Sequence, residues 1–187
     1  MGEGPIDIVQ RHCKRVNRII ENTLTLSRRV EPEASEVALQ PWLENIINDY
    51  REHQSPGVRI QLEVIQKDAM ARFDTNQIEQ VLTNLMDNGV RHGMQYNPDA
   101  ELLIRLSRTE NGEHAYVDVI NEGEPISEEV KMHLFEPFFT TEQQGTGLGL
   151  YLSKEICEAN QAQLDYIDSV TEGVCFRIRF AHPKRIV

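Results

Sequence analysis

The most constraining feature of this 187-residue sequence is the stretch GTGLGL at positions 145–150, which leads directly into the amphipathic segment YLSKEICEAN. Glycines ahead of a helix expose backbone N–H groups, and the helix N-terminus adds a partial positive charge. The arrangement therefore favours the binding of an anion such as a phosphate. A flexible linker before a helix would have the same composition, so the glycines alone leave both interpretations open.

The net charge of the chain narrows the kinds of anion that could bind. The formal net charge is −11, which argues against a nucleic-acid-binding protein because phosphate backbones require a basic face. A phosphate must therefore be held locally, by backbone amides, a metal ion or a few basic side chains. The sequence has three cysteines and no C-x-x-C pair, which predicts reduced thiols in a cytosolic protein. No apolar run approaches the ~18 residues that a membrane span needs.

The N-terminal third of the sequence divides into three predicted segments. Residues 5–30 are predicted as one helix, in which apolar residues recur every seven positions as in a coiled coil or helix bundle. One such helix cannot bury its own apolar stripe, so self-association is expected. Residues 31–39 are polar and contain Pro32, which predicts a linker. A second helix is predicted over residues 40–54.

The rest of the sequence predicts an α/β fold, an α+β two-layer sandwich with a mixed, largely antiparallel sheet. A strand is predicted over residues 58–64, and a helix then begins after an Asp74–Gln77 capping box and ends at Gly93. Two hairpins are predicted, around Asn111-Gly112 and around residues 172–173. A short helix after residue 127 and a helix over residues 148–160 lie between the hairpins.

Polar residues share one face of the third predicted helix, in NQIEQVLTNLMDNGVRHG. Asn84, Asn88, Arg91 and His92 recur at spacings of four, three and four, which places them on one side of a helix. Amide oxygens one turn apart can orient a hydrated Mg²⁺ that shares its other ligands with phosphates. Arg91 could then reach phosphate oxygens. A solvated helix face with ordinary amides is the alternative interpretation.

Two further segments are consistent with a ligand pocket. The strand in VDVINEGEPI ends at Asn121, followed by Gly123, and Asn121 is expected to face a pocket beside the sheet; an ordinary turn asparagine is the alternative. In LFEPFFTTEQQ, aromatic residues precede the polar residues Thr140 and Thr141 and then the glycines. Aromatic anchors, a polar middle and a glycine hinge are typical of a lid.

Taken together, these motifs resemble the ATP-binding catalytic domain of sensor histidine kinases, in the Bergerat-fold superfamily with gyrase and the Hsp90 chaperones. The N box QVLTNLMDNGVRH, the variant first G box NEGEP, the F box FEPFFTT and the second G box GTGLGL occur in the family's order. The resemblance covers residues 40–183. Within the family, EPFFTTEQQGTGLGLYLSKEICEANQAQLDY is similar to the sensors that control type IV pilus expression and to nitrogen-regulatory-type sensors.

The resemblance implies an organisation and a set of partners. Residues 1–30 would be the second helix of a dimerisation hairpin, residues 31–39 a linker and residues 40–187 the ATP-binding catalytic domain, with helices on one face of the sheet. The implied ligands are ATP or ADP and Mg²⁺. The implied partners are a second copy through the N-terminal helix and a cognate response regulator, with no nucleic acid. The implied location is cytoplasmic, at the inner membrane, with membrane contact only through upstream segments absent from this sequence.

The resemblance also implies roles for individual residues. Asn88 would coordinate Mg²⁺, Asn84 would support the metal and the phosphates, and Arg91 would contact phosphate; these three are the implied catalytic residues. The implied nucleotide-binding set further includes His92, Asn121, Gly123, Ile126, Phe138, Thr140, Thr141, Gly145, Thr146, Gly147, Leu148, Gly149, Leu150 and Cys175.

Three positions depart from the family pattern. Asn121 replaces the Asp that accepts a hydrogen bond from adenine, Pro125 replaces a glycine, and Cys175 stands where a Ser or Thr is common, which predicts weaker or less adenine-selective binding. These departures motivate the alternative of a nucleotide-sensing or scaffold module without kinase activity. A pure dimerisation unit, the third alternative, leaves the four boxes unexplained. Asn84 stands where ATP-hydrolysing relatives have a catalytic Glu, so phosphoryl transfer to an imidazole is expected rather than hydrolysis.

Overall fold

Strands and helices follow one another in nearly the order that the apolar pattern predicts. The computed structural model describes residues 31–54, 58–142, 145–169 and 173–183, so the helix predicted over residues 5–30 lies outside the described residues. The elements are β1 (Ser35–Ala38), α1 (Leu39–Asp49) with a π-helical turn over Tyr50–Gln54, β2 (Arg59–Val64), β3 (Met70–Phe73), α2 (Thr75–Tyr96), β4 (Glu101–Arg108), β5 (Ala115–Asn121), α3 (Glu128–His133), α4 (Gly149–Ala159), β6 (Gln163–Ser169) and β7 (Gly173–Arg179).

The central sheet has five strands in the order β2-β4-β5-β7-β6. Strands β2 and β4 are parallel, and the other neighbours are antiparallel. This arrangement confirms the predicted mixed, largely antiparallel sheet. Strands β1 and β3 form a separate antiparallel pair. Within the described ranges, no helix has both the length and the hydropathy that crossing a bilayer requires.

One face of the sheet packs against the helices and forms the core. Alternate residues of a strand point to the same face, and the register aligns Leu102 with Asn121, Ile104 with Val119 and Leu106 with Val117. Helix α2 contacts β4, β5 and α4, and α4 contacts β6. The apolar side chains of α2 that enter this core are Ile78, Val81, Leu82, Leu85 and Met86.

The start of α2 is capped as predicted and is also tied to the end of α4. The Asp74 carboxylate accepts hydrogen bonds from the backbone N–H groups of Asn76 at 3.0 Å and Gln77 at 3.2 Å. Asn160 accepts from the Asp74 N–H at 2.8 Å and donates to Gln77 Oε1 at 2.8 Å. The Gln77 side chain therefore bonds Asn160 instead of completing the predicted capping box. The two helices are joined at this end.

The predicted end of α2 at Gly93 is wrong, because the helix continues to Tyr96. Gly93 lies inside the helix, where a Cβ atom would come 3.2 Å from the Cβ atom of Ala100. At Gly89, one turn earlier, a Cβ atom would come 2.6 Å from Leu102 Cδ1. The two glycines let α2 lie close to the sheet, so glycine here marks close packing and not a helix end.

The predicted linker over residues 31–39 is also wrong, because residues 35–38 form strand β1. Val37 pairs with Ala71 of β3, and the backbone N–H of Leu39 donates to the Ala69 carbonyl at 3.0 Å. Val37 and Leu39 are both buried. Four residues are too few for alternation to be visible against the polar residues around them, which is also why β3 was not predicted.

Strand β3 delivers a central side chain to the core. Phe73 is fully buried; its ring stacks on that of Phe180 with centroids 4.9 Å apart and meets the edge of Trp42 at 5.0 Å. These contacts join the two-stranded sheet, α1 and the C-terminal end of β7. The folded unit therefore begins before residue 40, the predicted domain boundary.

Candidate functional site

The polar face of α2 lies against the first turn of α4. The Asn84 side chain donates from Nδ2 to Ser153 Oγ at 3.0 Å, and Ser153 is buried on α4. A Cβ atom at Gly149 would come 2.7 Å from Asn84 Oδ1. The two helices can therefore meet at Asn84 only because residue 149 has no side chain. The bond to Ser153 fixes the amide and leaves Oδ1 directed at the start of α4.

The start of α4 lacks the side-chain cap that the start of α2 has. Leu148 occupies the N-cap position and provides no side-chain hydrogen bond, and the first turn contains no acidic residue. The first N–H groups of a helix have no partner within the helix. The resulting positive end faces Asn84 and can hold an anion.

One turn further along α2, Arg91 joins Asn88 to the neighbouring loop. Arg91 Nη2 donates to Asn88 Oδ1. Glu142 Oε1 lies 3.0 Å from Arg91 Nε and 3.0 Å from His92 Nε2. The structure therefore brings two amide oxygens and two basic side chains to one face of α2, as the spacing predicted. The Glu142 carboxylate was not predicted at this face.

The segment between Phe138 and Gly147 is closed at its base. The Phe138 N–H donates to the Gly147 carbonyl at 2.9 Å, and a Cβ atom at Gly147 would come 2.3 Å from the Phe138 carbonyl carbon. Gly147 has φ +66, a conformation that L side chains rarely adopt. Glycine is therefore required at position 147 both by the backbone conformation and by the close approach.

The remaining predicted residues of this region lie at different depths. Thr140 Oγ1 accepts from the Glu142 N–H at 3.1 Å, and a Cβ atom at Gly145 would come 2.2 Å from that hydroxyl oxygen. Thr146 Oγ1 accepts from the Leu148 N–H at 3.4 Å. Ile126 and Leu150 are half-buried and pack against the core, whereas Phe138 and Thr141 are exposed.

Asn121 ends strand β5 under the glycine face of α2. Its side chain is only 4% exposed, and its Nδ2 donates to the Glu122 carbonyl at 2.9 Å. Its Oδ1 faces Gly89. At Gly123, φ lies outside the left-handed region and a Cβ atom would make only ordinary contacts. The backbone conformation therefore does not require a glycine at position 123.

Cys175, which the resemblance implied as a nucleotide-binding residue, lies on the sheet face opposite that of Asn121. Asn121 pairs with Val174, whereas Cys175 pairs with Ile120, and paired residues lie on the same face of a sheet. Val174 therefore shares the face of Asn121, and its Cγ2 lies near Gly123. The residue that sequence reasoning missed is Val174, one position earlier. Strand register could not be derived from the alternation alone, because both positions are apolar.

The sheet face that carries Cys175 is closed by an ion pair. Asp118 accepts hydrogen bonds from Arg177 Nε at 2.7 Å and Nη2 at 2.8 Å, and this hydrogen-bonded carboxylate raises the pKa of the Arg177 guanidinium. The guanidinium carbon also lies 3.8 Å from the centroid of the Tyr116 ring. The ion pair and Cys175 therefore lie together on the sheet face opposite Asn121.

The donor set suits a polyphosphate with a hard metal ion. The described residues contain no group of three or more His, Cys, Asp or Glu side chains that could hold a metal. A metal at this face would therefore be bound by amide oxygen and by the ligand's own oxygens, which is the pattern that Mg²⁺ prefers with phosphates. The uncapped start of α4 and the Arg91 guanidinium provide the positive groups for phosphate.

Comparison with known sequences gives a consistent result. Residues 73–184 match the family model described as histidine kinase-, DNA gyrase B-, and HSP90-like ATPase. The sensor protein kinase PilS of Pseudomonas aeruginosa is 40% identical over 179 residues, which are 96% of this chain and 34% of that protein. Sporulation kinase A of Bacillus subtilis is 31% identical over 186 residues, 98% of this chain and 29% of that protein. The chain thus spans about a third of the length of these curated relatives.

Solved structures with the same architecture are also found. The nucleotide-free catalytic domain of histidine kinase ThkA has a TM-score of 0.68 at 28% identity, covering 80% of this chain and 96% of that domain. ThkA in complex with the response regulator protein TrrA has a TM-score of 0.77 at 25% identity, covering 98% of this chain and 55% of that one.

Proposed function

The chain belongs to the histidine kinase-, DNA gyrase B- and HSP90-like ATPase family, and on that basis we propose that it is the ATP-binding catalytic part of a sensor histidine kinase. It transfers the γ-phosphate of ATP to a histidine on a dimerisation domain, from which the phosphate passes to a response regulator. The observation that carries the proposal is the position of Asn84 against the uncapped start of α4, with Asn88 and Arg91 on the same face of α2.

The polar face of α2 would hold Mg²⁺ and the phosphates together. Asn88 is the residue that would bind Mg²⁺, through its amide oxygen. Arg91 already donates to that oxygen, so its guanidinium is held within reach of the same phosphate group. The metal, when bound, neutralises phosphate charge. Asn84, fixed by Ser153, presents its oxygen beside the first N–H groups of α4, which would hold the terminal phosphates.

The side chains at this face position the phosphates without transferring protons. The Asn84 amide cannot accept a proton from water, so it provides no general base for ATP hydrolysis. An imidazole is already a nucleophile and does not need that base. The chain's contribution is therefore orientation and charge neutralisation around the phosphate being transferred.

The buried amide of Asn121 is the proposed adenine contact. Its Nδ2 is engaged by the Glu122 carbonyl, which leaves Oδ1 to accept a hydrogen bond from the adenine amino group. The structure thus supports an adenine preference at a position where the family pattern has Asp. A neutral acceptor gives a weaker hydrogen bond than a carboxylate.

The Asn121→Asp substitution is expected to raise the ratio of ATP to GTP affinity by about fivefold, because a charged acceptor strengthens the bond to the adenine amino group by ~1 kcal/mol. The same carboxylate would repel the guanine carbonyl oxygen. Competition of ATP and GTP for a bound fluorescent ADP analogue measures the ratio. An unchanged ratio of ATP to GTP affinity in a folded Asn121→Asp protein would show that Asn121 does not contact the adenine.

The two residues at the start of β7 are expected to differ in their effect on nucleotide binding. The Val174→Thr substitution places a hydroxyl on the face of Asn121. It is expected to tighten ADP binding by about threefold, the effect of one added neutral hydrogen bond. The Cys175→Ser substitution, on the other face, should leave ADP affinity within about twofold of the original protein, and titration calorimetry compares the two. The reverse result would show that the register assigned to β5 and β7 is wrong.

The proposed partners follow from this role. A response regulator receives the phosphate, and a second copy of the chain associates through the helix predicted over residues 5–30. The catalytic part works on the cytoplasmic side of the inner membrane and contacts the membrane only through upstream segments. The ThkA complex with TrrA is a relative in which a response regulator is bound.

The decisive experiment supplies the missing acceptor. A histidine-bearing dimerisation hairpin is mixed with this chain and radiolabelled Mg²⁺-ATP, and the acid-labile, base-stable phosphohistidine is measured. Label on the hairpin supports the kinase function. ADP binding without phosphohistidine would support the alternative, a nucleotide-sensing or scaffold module, which the neutral Asn121 favours.

A further inference from the structure

The strongest feature that the proposed function leaves unexplained is the position of Glu142. Its Oε1 lies 3.0 Å from both Arg91 Nε and His92 Nε2. Its side chain is 18% exposed, against 38% for Arg91 and 46% for His92. A carboxylate from the loop is therefore paired with the two basic side chains of α2 that could otherwise bind an anion.

The loop around Glu142 is built to present this carboxylate. The Glu142 N–H donates to Thr140 Oγ1 at 3.1 Å, and the Glu142 carbonyl accepts from the same hydroxyl at 3.5 Å. The Gly145 N–H donates to the Glu142 carbonyl at 3.2 Å. The bond between Phe138 and Gly147 closes the base of the segment. These bonds fix the backbone of Glu142, from which its side chain reaches α2.

The contact with Arg91 is a charge interaction without a well-formed hydrogen bond. Arg91 Nε and Glu142 Oε1 are both inaccessible to water, and neither has a hydrogen bond of good geometry among the described residues. Groups that are buried without good hydrogen bonds lower stability, since they have given up their bonds to water. A phosphate, with three oxygens, could satisfy the guanidinium better than this single carboxylate oxygen does.

We propose that Glu142 is an intramolecular competitor for the phosphates of the nucleotide. In the ligand-free protein its carboxylate occupies the site formed by Arg91 and His92, and a nucleotide binds there only by displacing it. Glu142 then determines which ligands bind, because only a ligand with phosphate charge regains the interaction that is lost when the carboxylate leaves. This inference rests on the proposed nucleotide-binding function.

The test compares two substitutions that remove the same charge from the same region. Glu142→Gln removes the proposed competitor. Glu136→Gln is the matched control, since Glu136 is 60% exposed and contacts His133 at 3.0 Å instead of α2. Titration calorimetry measures the binding of Mg²⁺-ADP, pyrophosphate and adenosine to each protein. Urea unfolding checks that both variants are as stable as the original protein.

Glu142→Gln is expected to tighten the binding of ADP and pyrophosphate by about fivefold, as for loss of a partly exposed competing ion pair. Adenosine binding should stay within about twofold of the original, because adenosine carries no phosphate. Glu136→Gln should leave all three affinities within about twofold of the original. In an Arg91→Ala background, Glu142→Gln should lose most of its effect.

Each other outcome overturns the inference in a recognisable way. Unchanged ADP affinity in Glu142→Gln, with normal binding to the original protein, refutes the competitor and leaves the nucleotide site intact. Weaker ADP binding would show that Glu142 helps to hold the nucleotide. If Glu136→Gln tightened ADP binding equally, the effect would come from the net charge of the protein and not from the position of Glu142. Absence of ADP binding to all the proteins refutes the proposed function and the competitor together.

Discussion

Replacing Asn88 with alanine is expected to weaken Mg²⁺-ADP binding by about a hundredfold and to abolish phosphoryl transfer to histidine. The substitution removes the amide oxygen proposed to bind the metal, and it also removes the hydrogen bond that holds the Arg91 guanidinium. Removal of one such preorganised group in a transfer site lowers rates by about a hundredfold or more. Titration calorimetry with Mg²⁺-ADP measures the binding, and radiolabel transfer to a supplied hairpin measures the reaction.

The matched control for this prediction lies on the same helix. Asn76 is exposed in the first turn of α2, so Asn76→Ala removes an amide from α2 without touching the proposed metal site. Its ADP affinity is expected to stay within about twofold of the original. If Asn88→Ala kept full ADP affinity and normal stability, the metal would be bound elsewhere. Asn88 would then not be the Mg²⁺ ligand of this chain.

Replacing Phe73 with alanine is expected to lower the free energy of unfolding by about 3–5 kcal/mol, the usual range for a fully buried aromatic ring. The ring fills the space between Trp42 and Phe180, and its loss leaves a cavity at the junction of both sheets. This decrease is a large fraction of the stability of an ordinary domain. Urea unfolding followed by circular dichroism measures it.

Phe138→Ala is the matched control for this loss of stability. The Phe138 ring is 74% exposed, so its removal should change the free energy of unfolding by less than about 0.5 kcal/mol. Similar effects of the two substitutions would show that Phe73 is not central to the core. The pair therefore separates the loss of a buried ring from the loss of any aromatic residue.

Features set by neighbours in sequence could be predicted from the sequence. The Asp74 cap and the two hairpin glycines are examples, because a cap or a positive φ depends on a few adjacent residues. The spacing of Asn84, Asn88 and Arg91 also predicts their common face, since helix geometry alone determines it.

Features that depend on a distant partner could not be predicted in this way. Gly93 has the sequence signature of a helix end, but it is glycine because Ala100 packs against it. Which of Val174 and Cys175 shares a face with Asn121 depends on the register of β7 with β5. Residues 35–38 carry the pattern of a linker because their pairing partner is distant: Val37 pairs with Ala71 of β3, 34 positions along the chain.

The partners within the site are equally distant in sequence. Ser153, which orients Asn84, lies 69 positions away in the sequence. The residue pattern of α2 does not predict this hydrogen bond. Glu142 lies in a segment that reads only as polar and mobile, so its contact with Arg91 and His92 was not foreseeable. Individual site residues could be identified, but the hydrogen bonds that orient them required the fold.

The hydrogen bonds of Asn160 have a consequence for how the molecule can respond to a ligand. These bonds join the first turn of α2 to the last turn of α4. The two helices therefore resist separation at that end. We therefore expect any rearrangement on ligand binding at the opposite end of α4, where Phe138 and Gly147 meet. The two helices would then keep their spacing at the Asn160 end, while the start of α4 adjusts to the ligand.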